Sequence, residues 1–152
     1  MNGYDPKLAA RVWQRVQKAP ETAPDTAQLM SLIAQEWTDA ATYLSLSRRT
    51  HGRISAQLHR LYEEEQAHIA CLKGIYTLVT GTRPSTRSVP PSNEPVELVL
   101  RRCYGREMQC LAQYEARSAD PEYGPIFARL AAQEREHCRL VLEILGSLQE
   151  RR

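Results

Sequence analysis

Long apolar runs are missing from this 152-residue chain. No segment approaches the ~18 uncharged apolar residues of a transmembrane helix, and the N-terminal MNGYDPKLAARVWQRVQ carries charges where a secretory leader would have its apolar stretch. Neither a membrane span nor a leader is expected, and the expected location is the cytoplasm. Runs of one charge sign are missing too. The 20 basic and 18 acidic side chains leave a formal charge of +2 and alternate along the chain, which argues against a nucleic-acid or membrane-surface partner. None of the four cysteines (Cys71, Cys103, Cys110, Cys138) stands in a C-x-x-C pair, so a rubredoxin-like or zinc-ribbon site within the chain is excluded. In a reducing cytoplasm all four are expected as free thiols inside helices. Period-two alternation is rare and β-branched residues are scattered, so little is available to build a sheet.

What remains is helical periodicity. A short first helix is expected over about 6–18, with Trp13 packing it onto the rest or onto a second subunit, and the Pro/Thr-rich APETAPD ends it. Four longer helices are expected over about 25–48, 53–80, 95–118 and 125–150. Asp25 is the N-cap of the first of these, Gly52 separates the first two, Gly81 closes the second, and Pro125 opens the last. Residues 1–24 form an N-terminal helix and linker, and 25–152 a single domain. The Pro/Ser-rich stretch 81–95 is the one long connection, and it can extend to roughly 50 Å, enough to traverse a bundle roughly 30–35 Å tall. The expectation is an all-α antiparallel four-helix bundle with one long crossover between its two hairpins.

The apolar stripes of these helices are broken in a repeated way. The second reads Ile54, Leu58, Leu61, Glu65, His68, Leu72, Ile75, Val79, and the fourth reads Phe127, Leu130, Glu134, His137, Val141, Ile144, Leu148. Each stripe is interrupted by one E-x-x-H. The first reads Leu29, Ile33, Glu36, Ala40, Tyr43, and the third reads Val96, Leu100, Cys103, Glu107, Cys110, Tyr114. Each of these carries a lone Glu with a Tyr two turns later. The lone glutamates are 71 residues apart and the E-x-x-H motifs 69, so the domain is an internal repeat whose two hairpins bring these groups to one level of the core.

Burying a carboxylate costs several kcal/mol unless it is paired or binds a metal. Four of them in one core would repel each other, whereas two divalent cations would cancel their formal charge of −4 and accept the two neutral imidazoles as well. Oxygen-rich sets with imidazole suit iron or manganese, while structural zinc sites favour thiolates or only four ligands. An i, i+3 pair presents its Glu and His to one centre.

On these motifs the sequence resembles the rubrerythrin branch of the ferritin-like di-iron carboxylate superfamily over residues 28–148. The resemblance implies a ferritin-like bundle holding two Fe ions, or alternatively two Mn ions. Glu36, Glu65, His68, Glu107, Glu134 and His137 are then the ligands, with Glu65 and Glu134 bridging and Tyr43 and Tyr114 donating hydrogen bonds to the carboxylates. It also implies reduction of hydrogen peroxide, or activation of dioxygen, by a centre cycling between ferrous and ferric states. Two features depart from the family. A further Glu one turn from the third-helix ligand is usual, yet the stripe positions here are Tyr104, Cys110 and Leu111. A C-terminal rubredoxin domain is also usual, so here electrons are expected from a separate donor such as a rubredoxin-like protein.

Other classes remain open at this point. The same ligands resemble the ferroxidase centre of bacterioferritin-like iron-storage cages, but those generally carry a short fifth helix after the fourth; a homodimer or small oligomer is expected instead. A di-manganese catalase-like site and a metal-free structural bundle complete the alternatives. Glu63, Glu64, Glu115 and Glu136 fall off the stripes and are read as solvated, as are His51 and His59. Cys103 and Cys110 are read as small core residues, with redox-active thiols as the minority alternative.

Overall fold

The structure, a computed structural model, describes residues 24–151 except 86, 88 and 89, together with Pro6, Lys7, Ala10 and Gln14. Those four N-terminal positions are helical; the rest of the helix expected over 6–18, Trp13 included, lies outside the described residues. Four long helices follow: α1 (Thr26–Arg48), α2 (Gly52–Thr80), α3 (Val96–Arg117) and α4 (Gly124–Glu150). Among the described residues there is no strand, and no helix is long and apolar enough to cross a membrane.

The helix ends have local causes. Asp25 caps α1 by accepting hydrogen bonds from the backbone N–H groups of Ala27 at 2.9 Å and Gln28 at 3.4 Å, satisfying donors that the first turn leaves free. Gly52, at φ 61°, turns the chain sharply from α1 into α2. Gly81 ends α2 in the left-handed conformation at φ 72°, and its N–H reaches the Thr77 carbonyl at 2.8 Å. Between α3 and α4, Asp120 accepts from the N–H groups of Glu122 and Tyr123. There Gly124 passes so close to the preceding turn that a Cβ would sit 2.5 Å from the Ser118 carbonyl oxygen.

The core falls into two apolar layers. One contains Tyr43, Leu46, Ile54, Leu58, Leu61, Val99, Leu100, Cys103, Leu140, Val141 and Ile144; the other contains Leu29, Leu32, Ile33, Leu72, Ile75, Cys110, Tyr114, Phe127, Leu130 and Ala131. Their order along the chain fixes the topology. The helices α1 and α4 run from the second layer to the first, whereas α2 and α3 run from the first to the second. The chain therefore forms two antiparallel hairpins, α1 with α2 and α3 with α4, which meet through α1–α3 and α2–α4. Because α2 and α3 are parallel, the link 81–95 has to return along the whole bundle. Arg49, just past α1, fixes the end of that crossover by donating to the carbonyls of Ser92 at 3.2 Å and Glu94 at 2.6 Å.

Candidate metal centre

Each of the four helices places polar residues between the two apolar layers. Glu36, Glu65, His68, Glu107, Glu134 and His137 are all buried there, none more than 2% exposed. The imidazoles of His68 and His137 stack with centroids 5.1 Å apart and planes 17° from parallel. In each ring Nδ1 faces inward. Nδ1 of His68 lies 3.1 Å from Glu65 Oε2, 3.0 Å from Glu134 Oε1 and 3.7 Å from Glu36 Oε1. Nδ1 of His137 lies 3.0 Å from Glu65 Oε1, 3.5 Å from Glu134 Oε2 and 3.6 Å from Glu107 Oε2. Glu65 and Glu134 thus each direct one oxygen to each imidazole, while Glu36 faces only His68 and Glu107 only His137. Ligand atoms of Glu65, His68, Glu134 and His137 all lie within 4.8 Å of one another, so this group could hold a metal ion.

The surrounding hydrogen bonds follow the same repeat. Tyr43, on α1, donates its hydroxyl to Glu107 Oε1 on α3, and Tyr114, on α3, donates to Glu36 Oε1 on α1. Nε2 of His68 is 2.9 Å from Gln133 Oε1, and Nε2 of His137 is 2.9 Å from Glu64 Oε2. With an acceptor on each outer nitrogen, the neutral form of either ring would carry its proton on Nε2 and turn the Nδ1 lone pair inward.

The electrostatics show what the cluster lacks. Burial, then the charge of Glu36, hold Glu65 and Glu134 well above the ordinary carboxylate range. Burial would raise Glu36 as well, but its contacts with Glu65, His68 and Tyr114 outweigh that and hold it at about 2. For Glu107, burial is likewise outweighed, by Glu134, His137 and Tyr43, and its carboxyl is lowered. Burial would lower the imidazoles, yet the carboxylates prevail: Glu134, Glu36 and Glu65 push His68 up to about 12, and Glu107, Glu134, Glu64 and Glu65 raise His137 further above its ordinary value. The core therefore draws in positive charge, as protons or as cations.

Unpaired atoms favour cations. Glu36 Oε2, both oxygens of Glu65 and of Glu134, and Nδ1 of both histidines are buried without a hydrogen-bond partner. Such orphans are rare in folded proteins, and here they converge on one level of the core. All are oxygen or imidazole donors, the set suited to iron or manganese. Thiolate is absent from the set: burial pushes the Cys103 thiol up to about 12 and Cys110 higher still, so both are neutral packing groups. The residues fit a bound metal ion.

Three partners were not legible as such in the sequence. Glu64, expected to be solvated, is half-buried and touches His137. Gln133 does the same for His68, and the two positions correspond in the repeat, each directly preceding an E-x-x-H glutamate. Asp39, one turn after Glu36, is fully buried; Arg106 Nε donates to its Oδ1, and its Oδ2 has no partner. Burial, then the charge of Glu107, raise Asp39 to about 8 against the pull of Arg106. Its counterpart in the other hairpin is Cys110, which donates to Gln35 Oε1 at 3.3 Å. The remaining off-stripe acids are surface residues: Glu115 pairs with Arg135 and Glu136 with Arg139, and Glu63 is exposed.

None of the known protein-family models matches the chain, and no curated protein matches it.

Proposed function

We propose that the chain is a ferritin-like di-iron oxidoreductase of rubrerythrin type that reduces hydrogen peroxide, or dioxygen, with electrons from a separate donor protein. The observation that carries this reading is the pair of carboxylates, Glu65 and Glu134, each directing one oxygen to each of two inward Nδ1 atoms. On this reading Glu65 and Glu134 would be shared by two ions, with Glu36 and His68 holding one and Glu107 and His137 holding the other. When bound, the iron pair supplies two electrons, one per ion, which with two protons convert peroxide to two waters.

The chain's own residues prepare the site. Tyr43 and Tyr114 hold the outer carboxylates in fixed rotamers from the opposite hairpin. Gln133 and Glu64 select the imidazole tautomer in which Nδ1 is free to bind. The apolar layers on either side, with Leu61, Leu72, Leu100 and Val141 fully buried, keep bulk water from the carboxylates. Fixed donors in a dry core need little rearrangement when charge changes at the centre.

The test is oxidation of the anaerobically loaded ferrous protein by peroxide, followed by optical absorption. Rapid oxidation at about one peroxide per two ferrous ions is expected. If peroxide and dioxygen both leave the protein ferrous for many minutes, the proposed reaction is wrong. Manganese in place of iron in the protein as isolated would redirect the reading to catalase-like chemistry.

A further inference from the structure

The internal repeat makes the two halves of the site alike in their inner ligands, but not in what holds the histidines. Nε2 of His68 donates to a neutral amide, Gln133 Oε1, and Nε2 of His137 donates to a carboxylate, Glu64 Oε2, each at 2.9 Å. The carboxylate is itself held: Arg60 Nε donates to Glu64 Oε1 at 2.9 Å, which leaves Oε2 for His137. The tyrosine donors are matched on the two sides, so they introduce no comparable difference.

An imidazole whose outer N–H donates to a carboxylate becomes the stronger donor at its other nitrogen, and such partners are worth about 10- to 100-fold in metal affinity. Resting on the di-metal reading above, we propose that Glu64 is a positioning residue that makes the two metal positions inequivalent. The position formed by Glu107 and His137 binds its ion first and more tightly, and the position formed by Glu36 and His68 fills second. Glu65 and Glu134 each direct one oxygen to each position, so neither position gains a ligand from them over the other. Glu64 acts through His137 and touches neither position itself.

The test is anaerobic titration of the metal-free full chain with ferrous iron alone, followed by calorimetry and by Mössbauer spectra of samples loaded with one and two equivalents of 57Fe. Wild type should show two steps separated by about 10-fold or more, with a single quadrupole doublet at one equivalent. Glu64→Gln, which keeps the shape and the hydrogen bond, should still bind two ions, with the steps merged to within about 3-fold and both doublets present at one equivalent. Gln133→Glu should merge them in the opposite way, by tightening the weaker step. Glu107→Gln should delete the tight step and Glu36→Gln the weak one. Two equal steps in wild type, or a separation unchanged in Glu64→Gln, would overturn the inference while leaving the di-metal reading intact. Failure of the folded wild-type chain to bind two ions would overturn both.

Discussion

At the residue scale, the polar groups of the core divide into those that periodicity exposes and those that only the assembled bundle defines. Glu36, Glu65, His68, Glu107, Glu134 and His137 stand on apolar stripes, so their burial could be read from spacing alone. Glu64 and Gln133 lie on the shoulders of their stripes, and each finds its histidine on the other hairpin. No local pattern encodes that meeting. Asp39 was hidden for the same reason, since its counter-ion Arg106 comes from α3. The tyrosines provide a test at this scale. Tyr43→Phe and Tyr114→Phe each remove a buried donor to a carboxylate, so each should destabilise the metal-free protein by about 1.5–3 kcal/mol in chemical denaturation. The repeat predicts similar losses for the two. A loss in only one of them would show that the hairpins do not hold their carboxylates alike.

At the scale of the elements, the helix limits agree with the sequence expectation to within a residue or so, because each is marked by its own chemistry: Asp25 at the start of α1, Gly81 at the end of α2, Pro125 in the first turn of α4. The long crossover was legible from length and composition, and its necessity from the parallel run of α2 and α3. Its anchoring by Arg49 was not legible, since that residue reads as an ordinary helix-end cation. The turn before α4 held another constraint without a sequence signal. A Cβ at Gly124 would meet backbone oxygen, which cannot swing aside as a side chain can, so Gly124→Ala should lower stability by about 1–3 kcal/mol. Gly105 and Gly146 face open space; Gly105→Ala and Gly146→Ala, in helix interiors, should instead stabilise by about 0.5–1 kcal/mol. Thermal unfolding of the three variants decides this, and equal effects of one sign would contradict it.

At the scale of the whole molecule, charge in the core couples stability to pH and, on the proposed reading, to metal. In the metal-free protein Asp39 is raised from 3.8 to about 8 and His68 from 6.5 to about 12, and Glu65 and Glu134 are raised too. A group whose folded value is raised keeps its proton longer in the native state than in the unfolded chain, so its contribution is complete below the unfolded value and is lost as pH climbs toward the folded one. Glu36, lowered to about 2, acts in the opposite sense, but its contribution is complete above its ordinary 4.5. The metal-free protein should therefore lose stability as pH rises from about 4 through about 8 on account of Asp39, and above 6.5 on account of His68 as well. With metal the slope should reverse or flatten over that range, because protons and cations compete for the same atoms and binding two divalent ions should release about four protons. Thermal unfolding of both forms across the range tests this; parallel slopes would contradict it.

The repeat of two hairpins, the orphaned donor atoms and the inward Nδ1 pair all support one proposal, that the core is built to hold two metal ions. Elemental analysis of protein purified without oxygen, beside a Glu65→Ala, Glu134→Ala double variant checked for helicity by circular dichroism, tests that claim most directly. About two iron atoms per chain, lost in the folded variant, is the predicted result. A folded wild-type chain that carries no metal, even after reconstitution with ferrous iron and with manganese, would contradict it.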